Sequence, residues 1–71
     1  MNVRRNSAGL TERQREVLSL ISEGASNVQI AGELEITLET VKSHVKHILQ
    51  AYDAHSRAQA VAIAIREGEI E

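Results

Sequence analysis

Cysteine, proline, phenylalanine and tryptophan are all missing from this 71-residue chain, and tyrosine occurs once. Without cysteine no disulfide and no thiolate zinc site can staple a small fold, and the redox compartment leaves no trace in the sequence. Without large aromatics the core has to be aliphatic. Long apolar runs are missing too: the longest, Ala60 to Ile65, is far short of the roughly 20 residues that a membrane-spanning helix needs. No signal peptide is visible, and no stretch alternates apolar and polar residues as a half-buried strand does. The length allows one compact domain. It leaves no room for a multi-step enzyme with its own pocket, and there is neither a nucleophile with a paired base nor a phosphate-cradling glycine loop.

Excess positive charge is also lacking. The formal net charge is -2, which argues mildly against nucleic acid, because lysine and arginine supply phosphate contacts. The distribution matters more than the sum. The acidic excess sits mostly in the last stretch, with Asp53, Glu67, Glu69 and Glu71.

The most informative stretch that is present runs from Thr37 to Tyr52, TLETVKSHVKHILQAY. Val41, Val45, Ile48, Leu49 and Tyr52 fall at offsets 0, 4, 7, 8 and 11, a single stripe on a helix and a core-facing one. Glu39, Lys42, Ser43, Lys46, His47 and Gln50 occupy the other side, where they can exchange hydrogen bonds with a polar partner. Just upstream, SNVQIAGEL forms a short helix, and only Glu35 to Thr37 separate the two. This is the spacing of a helix-turn-helix.

Residues 1–9, MNVRRNSAG, show no periodicity and read as a flexible tail or linker remnant, with Arg4 and Arg5 solvated; the domain proper covers 10–71. Thr11 with Gln14, Ser26 with Gln29 and Ser56 with Gln59 each match the T/S-x-x-Q capping box that opens a helix. Gly24 and Gly68 fit the left-handed residue that closes one, and Asp53 tolerates the same geometry. Four helices follow, at about 12–23, 27–34, 38–52 and 57–67, giving an all-α fold. In the first, Val17, Leu18, Leu20 and Ile21 face inward; in the second, Ile30, Ala31 and Leu34 do so, and Ile36 pins the turn. The last helix has more apolar surface than one core contact requires. Ala58, Val61, Ala62 and Ile65 share one side, Ala60 and Ile63 lie on another, and the surplus reads either as a subunit interface or as one exposed aliphatic.

Four blocks, LTERQREVLSLISEG, SNVQIAGELEIT, ETVKSHVKHIL and HSRAQAVAIAI, occur in order from Leu10 to Gly68. Together they resemble the DNA-binding domain of the LuxR/FixJ/NarL family of bacterial transcription regulators. The resemblance implies a four-helix domain whose third helix enters the major groove of double-stranded DNA and whose fourth helix makes a homodimer on two half-sites. No cofactor, no metal, no membrane and no small-molecule ligand is implied within the domain. RNA polymerase is a further partner for such a domain, and the bacterial cytoplasm, on the nucleoid, its expected place. Such domains usually follow an N-terminal regulatory domain, so the chain reads as an excised output domain or a small stand-alone member. Carried over by position, base contacts fall on Lys42, Ser43 and Lys46, phosphate contacts on Thr40 and His47, and dimer contacts on Gln59, Ala60 and Ile63. The side chains agree with the first set: two lysines four residues apart donate to guanine or phosphate, and Ser43 donates or accepts. Glu39 is expected to pair with Lys42 or Ser43 rather than to read a cytosine.

Some positions depart from the family pattern. Gln14 stands where Glu is common, Val28 where a polar or basic residue is usual, and Tyr52-Asp53-Ala54 where Leu-Gly-Val is more frequent; Glu35 adds negative charge in the turn. These changes lower the expected phosphate affinity. A sigma-factor region-four promoter binder shares the L-T-x-R-x-R-E-V-L opening, but the complete final helix favours the LuxR type. A helix-turn-helix repurposed as a protein-interaction module is the alternative that the acidic balance motivates. His44, His47 and His55 lack the arrangement of a metal site.

Overall fold

Among the described residues, each helix starts on a hydroxyl and leaves through a residue with positive φ within two positions of its end. The structure, a computed structural model, describes residues 8–71. Its elements are α1 (Glu12–Ser22), α2 (Asn27–Leu34), α3 (Leu38–Tyr52) and α4 (Arg57–Arg66). The expectation of a loose tail at 1–9 falls mostly outside the described residues, but Ala8 already packs against the core and Leu10 is buried. Thr11, Ser26, Thr37 and Ser56 each sit in extended backbone and accept a hydrogen bond from the amide three residues on, satisfying an amide the helix itself cannot. The first two boxes are complete, with Gln14 and Gln29 accepting from the cap amides. The third differs: the Gln59 side chain accepts from the amide of His55 at 2.6 Å.

At the other ends the chain turns out through Gly24, Glu35, Asp53 and Gly68, all at positive φ. After each, one amide reaches back five residues: Ala25 to Leu20, Ile36 to Ala31, Ala54 to Leu49 and Glu69 to Ala64. This Schellman closure normally seats an apolar residue at the position that donates the long bond. Ala25, Ile36 and Ala54 comply, packing against the core. Glu69 does not, and it is the one buried charged residue among those described.

The core consists of Leu10, Val17, Leu18, Ile30, Val41, Val45, Ile48, Ala60, Ala64 and Ile70, with Leu20, Ile21, Leu34, Ile36, Leu49 and Tyr52 around it. It is aliphatic, as the lack of aromatics demands. The stripe on α3 is its centre: this helix packs against α1, α2 and α4, and α1 also meets α2 and α4. Because α3 is clamped along one side by three helices, its other side is left to solvent. The inward face of α4 differs from expectation. Ala60 and Ala64 are the buried pair, Val61 packs beside them, and Ile65 is 50% exposed. Ala60, expected at a subunit interface, is a core residue at 1% exposure. Alanine at these positions lets α4 lie close against α1 and α3.

Candidate nucleic-acid interface

The outward side of α3 is the polar surface that the fold builds most deliberately. Val41, Val45 and Ile48 are buried on one side, while Glu39, Lys42, Ser43, Lys46, His47 and Gln50 are all exposed on the other. Lys42, Ser43 and Lys46 are thus brought together on one solvent-facing surface, with His47 at its edge. Lys42 Nζ lies 4.0 Å from a Glu39 carboxylate oxygen, with both side chains more than half exposed. A pair this open and this long contributes little and is readily exchanged for a phosphate or a base.

Thr40 is placed differently from the others. It is half-buried in the first turn of α3, its amide donates to Thr37 Oγ1 at 3.0 Å, and the two hydroxyls lie 2.8 Å apart. The amides at this helix start carry partial positive charge, which favours an anion. The turn before it holds Glu35 in a left-handed conformation, φ 57°. Sequence reasoning saw the charge of Glu35 but not its backbone, because glutamate is not a residue that prefers this region.

Two further contacts set how the helices around α3 are held, and neither was anticipated. Arg57 Nη2 donates to Asn27 Oδ1, tying the first turn of α4 to the first turn of α2. Both residues lie inside the family blocks, so the signal was the blocks and not any spacing. Arg15 Nη2 lies 3.8 Å from the buried Glu69 carboxylate and Arg15 Nη1 lies 3.7 Å from Glu12. Tyr52 adjoins this cluster. Burial, reinforced by Glu69 and Glu67 and opposed by Arg15, pushes its phenol up to about 12, and its hydroxyl is buried with no hydrogen-bond partner. One of the C-terminal carboxylates that made the sequence look acidic is therefore internal. Three carboxylates, Glu12, Glu16 and Glu33, line a cleft between α1 and α2 with Arg15, Ser19, Leu20 and Leu34.

On α4 the three residues expected at a dimer contact separate. Ala60 is in the core, Gln59 is exposed and engaged in the helix cap, and Ile63 is half-buried without belonging to the core or its packed surround. Ala58, Ala62 and Ile65 are exposed beside them. Among the described residues no group of three or more His, Asp or Glu side chains could hold a metal ion, and no helix is long and apolar enough to cross a membrane.

A short helix, a tight turn, and a longer helix that is buried on one side and polar on the other, backed by two more helices, define a helix-turn-helix domain. The family profile "Bacterial regulatory proteins, luxR family" matches residues 8–64. The response regulator protein VraR of Staphylococcus aureus is 45% identical over 62 residues, which are 87% of this chain and 30% of that protein. VraR proteins of Staphylococcus saprophyticus and Staphylococcus epidermidis match to the same extent. The solved structure of the transcription factor GerE superposes with a TM-score of 0.84 at 32% identity, covering 87% of this chain and 92% of that one. The chain belongs to the luxR family of bacterial regulatory proteins and is a DNA-binding transcription-regulator domain. It spans about 30% of the length of the VraR relatives it matches.

Proposed function

We propose that this domain reads double-stranded DNA in a sequence-specific way, with α3 in the major groove and the domain paired with a second copy through α4. Lys42, Ser43 and Lys46 contact base edges. Thr40 and His47 contact phosphate, and phosphate contacts fix the register. The observation that carries this reading is the outward side of α3: six polar residues in solvent, opposite a stripe in which Val41, Val45 and Ile48 are buried. The dimer surface uses Gln59 and Ile63 with the exposed Ala58, Ala62 and Ile65, and Ala60 supports it from within. Since the relatives are response regulators, we further propose that the domain is the output part of such a regulator, with RNA polymerase as a partner at the promoter.

The test is binding to a duplex enriched by this protein, followed by fluorescence anisotropy across salt. For Lys46→Ala the loss is about 1–3 kcal/mol if a base contact disappears. Neutralising Z phosphates gives a slope near -0.9Z in log K against log salt, where -0.9 is roughly the value for duplex DNA. Ile63→Glu lowers cooperative occupancy of paired half-sites and leaves the monomer fold intact; unchanged cooperativity removes α4 from the interface. The acidic cleft between α1 and α2 supports one second reading, a protein-interaction module, which requires DNA binding that is weak and insensitive to salt.

A further inference from the structure

We infer that Leu38 is a base-reading residue that recognises the C5-methyl group of a thymine. The inference rests on the proposed entry of α3 into the major groove and extends it to a specificity determinant of different chemistry. Among the described residues, three large apolar side chains are exposed: Val28 at 69%, Leu38 at 36% and Ile65 at 50%. Ile65 belongs to the α4 surface. Val28 sits at the start of α2, the helix that crosses the phosphate backbone in this motif. Leu38 is the first residue of α3, and a recognition helix presents its N-terminal residues to base edges.

Its position relative to the lysines is specific. Leu38, Lys42 and Lys46 are spaced four apart, and each such step turns the helix by about 40°, so the three form one row along its edge. On α3's inner side Val41, Val45 and Ile48 are 0%, 8% and 1% exposed and Leu49 and Tyr52 are half-buried; Leu38 falls in helical angle between Val45 and Leu49, but in the first turn it lies outside the core. Its neighbours in the first turn, Glu39 and Thr40, are polar and in the free domain face Lys42 and Thr37. An aliphatic side chain at this point can gain only from an apolar feature, and in the major groove the thymine methyl is that feature. Four residues of helix rise about 6 Å, and base steps are about 3.4 Å apart. The thymine therefore lies within about two base steps of the base that Lys42 contacts.

The test replaces thymine by deoxyuridine, which removes only the methyl. In a duplex enriched by this protein, each thymine within two steps of the Lys42-dependent base is replaced in turn, and binding is measured for the wild-type chain and for Leu38→Ala. Burying one methyl corresponds to about a fourfold change in affinity per half-site. The expected result is one position where the replacement weakens wild-type binding by about that factor and leaves Leu38→Ala unaffected, with helicity unchanged by circular dichroism. An enriched duplex whose affinity depends on Lys42, but whose thymine methyls matter equally to both proteins or to neither, overturns this inference alone. Failure to enrich any duplex overturns the DNA reading and this inference with it.

Discussion

Replacing Arg15 with methionine removes a cation that faces a carboxylate with no access to water. Glu69 is 0% exposed and Arg15 is 18% exposed in its side chain, with 3.8 Å between the charged groups. Removing one partner of a buried ion pair costs about 3–5 kcal/mol, because the remaining charge loses part of its compensation in a site without water. Here Arg15 is partly solvated and the contact is long, so we expect a cost just below that range, about 2–3 kcal/mol. At roughly 0.05–0.15 kcal/mol per residue, a domain of this size has about 4–10 kcal/mol in all. In a 60–100-residue domain each kcal/mol moves Tm by about 4–8 °C, so Tm falls by roughly 10–20 °C. The assay is urea and thermal unfolding at pH 7 followed by circular dichroism. The companion variant, Arg15→Met with Glu69→Leu, puts an apolar residue where the other three helix ends have one and recovers most of the loss, since an apolar replacement for a buried pair is often neutral or better. A single variant as stable as wild type, or a double variant no better than the single, refutes the reasoning.

Three other perturbations follow from the same geometry. Tyr52 is the one tyrosine, so its ionisation can be followed by ultraviolet absorbance. With the phenol pushed up to about 12 from 10.0, the midpoint falls near 12 in the folded protein, and a midpoint near 10 contradicts the burial. The sign follows from the raised value: stability from the neutral phenol is complete below pH 10 and is lost as pH rises towards 12, and Tyr52→Phe removes that part of the pH dependence. At pH 7 the same substitution raises stability by about 1 kcal/mol, because it removes a buried hydroxyl that has no hydrogen-bond partner. Glu35→Gly relieves a left-handed conformation that costs a residue with a Cβ about 1 kcal/mol; it raises the unfolding midpoint in urea, and a fall shows that the Glu35 side chain has a role the backbone does not reveal.

Much of the fold could be read from particular residues. Threonine or serine followed by glutamine three positions on marked α1, α2 and α4, and the stripe from Val41 to Tyr52 marked the inner face of α3. Gly24, Asp53 and Gly68 marked three of the helix ends; Glu35, the fourth, was not legible, because glutamate has no preference for the left-handed backbone it adopts there. The inner face of α4 was not legible. Apolar residues run all round it from Ala58 to Ile65, so periodicity carries no direction, and alanine registers weakly as a core residue although Ala60 and Ala64 are buried. Net charge also misled. It counts Glu69 as surface acidity, whereas the fold places that carboxylate inside against Arg15 and leaves Lys42 and Lys46 on the solvent side of α3. The grouping of Lys42, Ser43 and Lys46 needed only helical spacing, since it follows from one uninterrupted helix.

The central claim is that the outward side of α3 reads base sequence. The direct measurement is selection of bound duplexes from a random pool at low and at physiological salt, in parallel for the wild-type chain and Lys42→Ala. The account predicts a repeated half-site with fixed spacing for the wild type, and relaxed preference at one position of that half-site for the variant. The same sites enriched by both proteins, or none by either, contradict it.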